Sequence, residues 1–215
     1  MNLRYNTFVS LSLLSFVILS NCVSPGRVEI TKDEFKNGYI IELEQSFGNI
    51  EDGRTYLLTL MYSREFFDPK VQPPTIIRFI VSTPEKSYDL EPNGFLKISE
   101  KTFNVKFEGL YSSLKSESYH GTRTDMATGK EVSYSGVNTS KQLKGVLQLT
   151  KEQEALISES QSVTLRMYSG SSPFSFVIKE ERLGKLKEFL KTNPPEETQP
   201  ANRVVPETKD RKKSR

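Results

Sequence analysis

The sequence predicts a mainly β domain, an antiparallel β-sandwich or open barrel, and three observations predict it. Segments that alternate with period two recur through most of the 215 residues. Clusters of Gly, Pro, Asn, Asp and Ser separate them as turns do. Only two stretches carry helical spacing, a short one near 151–159 and an amphipathic C-terminal one near 179–191.

Taken in order, "GYIIELE" puts Tyr39, Ile41 and Leu43 on one strand face and Glu42 and Glu44 on the other. "TYLLTLMYS" (55–63) and "TIIRFIVST" (75–83) are apolar on both faces, as central strands are. "TFNVKFEG" sets Phe103, Val105 and Phe107 against Asn104, Lys106 and Glu108. "QLKGVLQLT" (142–150) follows, and then "SVTLRMY" (162–168) and "PFSFVIK" (173–179), which flank a short Gly/Ser loop and predict a hairpin.

Thr150 and Gln153 match a capping box, which opens the helix "KEQEALISES". Leu183, Leu186, Phe189 and Leu190 form one stripe on the second helix, although Gly184 weakens it by about 1 kcal/mol against alanine. Pro194 and Pro195 end that helix. The expected organisation is a leader over 1–21, a tether over 22–36, a β-rich domain over 37–193 and a disordered basic tail over 194–215.

The leader carries one positive charge, Arg4, and then the apolar run "FVSLSLLSFVIL" (8–19). Twelve helical residues rise only about 18 Å against a hydrocarbon core of about 30 Å, which suits a signal peptide better than a span. The run ends in Leu19-Ser20-Asn21-Cys22, with the chain's only cysteine. This resembles the lipobox of bacterial lipoproteins, and Asn21, where Gly or Ala is usual, resembles the relaxed spirochaete type. The resemblance implies cleavage between Asn21 and Cys22, diacylglycerol on the Cys22 thiol and anchoring in a membrane of the cell envelope. Val23 is not the aspartate that retains many lipoproteins at the inner membrane, so the outer membrane is the expected address. Which side the domain faces stays open.

Removing 1–21 leaves 29 basic residues (30 less Arg4) against 27 acidic, a formal +2, which argues for no nucleic-acid partner. One cysteine leaves no disulfide framework and no cysteine metal site, and no cofactor is implied. His120, the only histidine, is expected as a solvated loop side chain, and no G-x-S-x-G elbow accompanies it. Glu42 and Glu44 stand about 6.6 Å apart, a separation used in glycoside hydrolysis, but they also read as the wet face of an amphipathic strand.

Two regions are candidates for partner contact. In 111–140, Ser, Tyr, Thr and Gly make up 17 of 30 residues, a binding-loop composition that includes Tyr111, Tyr119 and Tyr134. The same composition suits exposed edge strands kept polar against aggregation. Phe66 and Phe67 precede a proline-containing loop, where an exposed pair would form a small apolar patch.

Three functional readings follow. The first is a membrane-anchored envelope lipoprotein acting as a non-enzymatic binding or structural module, with a protein or envelope-polymer partner. The second is an envelope enzyme using carboxylates, for example a glycan-acting hydrolase. The third is a structural module that meets cell wall or anionic lipid through the basic tail, whose last five residues hold four positive charges.

Overall fold

The computed structural model describes residues 26–51, 53–68 and 71–195; the leader, Cys22 and the tail from residue 196 lie outside them. Along the described chain run β1 (Val28–Asp33), β2 (Gly38–Glu51), β3 (Arg54–Phe66), β4 (Ile76–Pro84), β5 (Asn93–Ile98), β6 (Lys101–Lys106), β7 (Glu108–Thr124) and β8 (Glu131–Gln148). Helix α1 (Lys151–Glu159), β9 (Ser162–Ser169), β10 (Ser172–Lys179) and α2 (Glu180–Lys191) complete it. All strand pairs are antiparallel. A six-stranded sheet has the order β1-β2-β3-β4-β8-β7 and a four-stranded sheet the order β10-β9-β5-β6. The architecture is the expected β-sandwich or open barrel, with one sheet curled into a half-barrel.

The alternation read in the sequence builds the core row by row. In register across the large sheet stand Leu43, Tyr62, Ile77 and Leu147, then Gln45, Leu60, Phe79 and Gly145, then Phe47, Leu58, Val81 and Leu143. Leu96, Ile98, Val105, Val163, Leu165, Met167, Phe174, Phe176 and Ile178 supply the opposing layer, and all are buried. Rings lock the layers together, with Tyr56 stacked on Phe174 at 4.7 Å and Phe79 edge-on to Phe107 at 5.2 Å. Gly145 is required here, because a Cβ would meet the Phe79 ring at 2.6 Å.

The domain begins earlier than the sequence predicts. Residues 28–33, expected to belong to the tether, form β1 and pair with β2 from Val28↔Leu43 to Asp33↔Gly38. Its residues are exposed or half-buried. Only Val28 and Ile30 alternate with polar neighbours and only Val28 packs on the core, because an edge strand is held mainly by backbone pairing.

Both predicted helices are present. Thr150 caps α1 in the expected box: its hydroxyl accepts from Gln153 N, and its own N–H donates to Gln153 Oε1. Helix α2 buries Leu183, Leu186, Phe189 and Leu190 against β1, β2, β9 and β10, closing the seam between the sheets. Gln45 Nε2 donates to Arg182 O on that helix at 2.8 Å. The open edge of β10 is capped by β2 side chains: Asn49 donates to Ser175 O at 2.9 Å and Ser175 N donates to Glu51 at 3.0 Å.

Two charged side chains are buried, Arg64 and Glu154. Arg64 continues the inward phase of Tyr56, Leu58, Leu60 and Tyr62 and is 2% exposed. Its Nε donates to Thr75 Oγ1 at 2.8 Å and a terminal nitrogen donates to Leu190 O at 2.8 Å, while its guanidinium lies over the Phe189 ring. The end of α2 is thereby tied to β3 and to the approach to β4.

Candidate functional site: a ribbon beyond the sheet

The register of β8 creates the most exposed strand pair among the described residues. β4 supports β8 only from Ser140 to Gln148, whereas β7 follows it outward to the pair Thr124↔Glu131. From Ser116↔Thr139 onward two strands therefore run without a third neighbour for about 30 Å, at ~3.4 Å per residue. Nearly every residue of this segment is exposed, on both faces.

A two-stranded hairpin alone is marginal in water, so specific side chains must hold it. Tyr119 stands opposite Gly136 and Tyr134 opposite Gly121, and each ring occupies the space a Cβ on that glycine would need. The two rings meet edge-on at 6.3 Å. Cross-strand aromatic cover over glycine is a known device for stabilising a strand pair. The hydroxyls of Ser116 and Thr139 bond at 3.1 Å, and Lys115 pairs with Glu117 at 2.6 Å.

The turn closes as the Asp-x-x-x-Gly pattern requires. The Asp125 carboxylate accepts from the N–H of Ala127 (2.8 Å) and of Thr128 (3.2 Å), and Gly129 adopts φ 66°. At the ribbon's base, Lys141 Nζ donates to Asp89 at 2.8 Å and to Ser87 O at 3.0 Å. Bonds from Lys141 and Ser112, with the Lys141 charge, hold the Asp89 carboxyl below its ordinary range.

Opposed pairs divide the ribbon into two faces. One carries Tyr119, Arg123, Val132 and Tyr134; the other carries Ser118, His120, Thr122, Ser133, Ser135 and Val137. An open concavity of ≈ 550 Å³ is lined by His120, Gly121, Thr122, Ser133, Tyr134 and Ser135. His120 thus sits within a strand, not in the loop the sequence suggested. The correction has a simple cause: its polar neighbours form a strand without a buried face, so alternation is missing.

The other candidates lie elsewhere. Tyr111 is at the ribbon's base, with Lys144 over its ring at 5.4 Å. Phe66 and Phe67 sit at the opposite end of the large sheet, since β3 reaches Phe66 beside Tyr39 while the ribbon extends from the far end of β4. Phe66 packs on the core, and Phe67 packs against Gly38 beneath Lys36. Glu42 and Glu44 are exposed on the outer face of β2, and Glu29 stands directly opposite Glu42. Among the described residues no group of three or more His, Cys, Asp and Glu is placed to hold a metal. No helix among them is long and apolar enough to cross a membrane.

A second surface escaped the sequence reading. On the outer face of the small sheet Phe95 meets Tyr168 edge-on at 6.2 Å, with Arg166 over the Tyr168 ring. With Lys97, Thr102, Thr164 and Ser175 they line a shallow hollow of ≈ 240 Å³. The available signal was Phe95, an aromatic out of phase with the inward Leu96 and Ile98.

Compared with protein-family models, with curated proteins and with solved structures, the chain shows no match.

Proposed function

We propose that the protein is a lipid-anchored, non-enzymatic binding module of the cell envelope, held at Cys22 and presenting the β7–β8 ribbon to a partner. The carrying observation is the ribbon itself, exposed on both faces for about 30 Å and surfaced with Tyr, Ser, Thr and Val. Tyrosine supplies large contact area at small entropic cost, and small hydroxyl residues adapt around it. The lipobox-like Leu19-Ser20-Asn21-Cys22 supports the anchor. A first acyl chain binds a membrane marginally and further chains make the attachment durable.

Two measurements test the parts separately. Fatty-acid labelling in cells should mark the wild type and leave Cys22→Ser unmarked; equal labelling refutes the anchor. A photoreactive side chain at Val137, on the ribbon, should give a discrete adduct with another envelope component in intact cells. The same group at Glu42, on the outer face of β2, is the control. Identical patterns from the two positions, or no adduct other than the chain with itself, would refute the binding role of the ribbon faces.

A further inference from the structure

The ribbon has an edge as well as two faces. β7 is the last strand of its sheet, and no proline interrupts its 17 residues. Asp125 N donates to Lys130 O at 2.9 Å, which marks that opposed pair as a hydrogen-bonded one. Such pairs alternate along an antiparallel ladder. Odd-numbered residues of the outer part of β7 therefore turn their N–H and C=O groups toward β8. Ser116, Ser118, His120, Thr122 and Thr124 turn theirs outward, a row of backbone groups ready for another strand.

The charges along this edge say which strand fits. Lys115, Glu117, Arg123 and Asp125 are matched to themselves in one antiparallel register. When two copies of β7 are related by a two-fold axis at His120, Glu117 stands opposite Arg123 of the second copy and Lys115 opposite its Asp125. By symmetry each pairing occurs twice. Ser118 then faces Thr122, and Tyr119 faces Gly121, so no bulky pair is opposed immediately beside the axis.

Neighbouring registers fail. Moving the axis to Tyr119 sets Lys115 against Arg123, and moving it to Gly121 sets Glu117 against Asp125. Like charges directly opposed are destabilising and opposite charges favourable. An axis at Ser118 or Thr122 opposes none of these four charges with another.

We infer that a second copy of this chain adds along the β7 edge, antiparallel and two-fold symmetric about His120, to give a continuous sheet in the order β8-β7-β7-β8. A two-fold interface is self-complementary, as this charge pattern is. It also resolves the weakness of a lone hairpin, because four strands replace two. The inference rests on the edge's backbone and charges and is independent of what the ribbon's faces bind.

Cross-linking in the full chain decides it. With Cys22→Ser removing the one native thiol, His120→Cys places two thiols across the axis. Twin Cα atoms in a hydrogen-bonded pair lie about 5.5 Å apart, within disulfide reach. Ser116→Cys sits on the same edge but about 27 Å from its twin, eight residues at ~3.4 Å each. Mild oxidation should give about tenfold more dimer from His120→Cys than from Ser116→Cys. Equal cross-linking, or none, overturns the proposal.

Charge reversal supplies the second test, in detergent with both cysteine substitutions absent. Glu117→Arg and Arg123→Glu should each weaken dimerisation by about tenfold in sedimentation, and the double variant should recover it. A double variant no tighter than either single one overturns the register, and Tyr119 and Tyr134 stay unchanged throughout.

Discussion

The Arg64 guanidinium lies 3.0 Å from a carboxylate oxygen of Glu154, and the two side chains are 2% and 8% exposed. The pair joins β3 to α1 inside the domain. Both oxygens of the acid are engaged: Oε1 accepts from Thr75 N at 3.1 Å, and Oε2 also accepts from Lys151 Nζ at 3.1 Å. Desolvating two charges is expensive, and such a pair holds a fold together only when its remaining groups are satisfied in this way.

Arg64→Met should therefore destabilise the domain by about 3–5 kcal/mol, because it leaves the Glu154 carboxylate buried without its main counter-charge. Denaturant midpoints against wild type measure this. A change under about 1 kcal/mol would mean that Lys151 and Thr75 suffice.

The same pair sets an acid dependence. Burial pushes the Glu154 carboxyl up, but the bonds from Thr75 and Lys151 and the charges of Arg64 and Lys151 outweigh it and hold it below its ordinary 4.5. A carboxyl lowered on folding contributes stability that is complete above the unfolded value and disappears as pH falls through the folded one. Thermal midpoints of wild type and Glu154→Gln should thus differ most at neutral pH and converge as pH drops below 4.5. A constant gap from pH 7 to pH 3 would contradict the assignment.

Tyr62 is buried in the same layer, and its hydroxyl finds no hydrogen-bond partner among the described residues. Burial pushes its pKa up. The ring packs tilted on Phe189 at 5.9 Å, so the apolar part earns its place without the oxygen. Removing an unsatisfied buried hydroxyl while keeping the shape should be neutral or stabilising by about 1 kcal/mol. Tyr62→Phe losing more than 1 kcal/mol would show that the hydroxyl is bonded in solution.

Helix α2 is a test of core membership. Leu186 is 1% exposed, so Leu186→Ala should lose about 2–5 kcal/mol, whereas the exposed Glu181→Ala should stay within about 0.5 kcal/mol. Gly184 has open space where a Cβ would sit, and Gly184→Ala should gain close to 1 kcal/mol. Chemical melts of the three variants check the order.

By itself the sequence determined the fold class, the inward faces and both helices. Strands such as β2 and β6 bury alternate side chains, so burial is written at period two, and the leucine stripe of α2 is written at 3.6. It also carries the lipobox-like end at Cys22, a local chemical pattern that needs no fold. Tertiary structure alone decided the rest. β1 was missed because Val28 and Ile30 alone carry its alternation, and the ribbon was legible only as a polar composition suiting exposed edge strands, because strands exposed on both faces leave no alternation to fix their length or register. Arg64 broke the apolar phase of β3 in plain view, yet its partners stand 11 to 126 residues away. Only the packing of α1 and α2 onto β3 brings them to it, and long-range contacts of that kind leave no local trace in the chain.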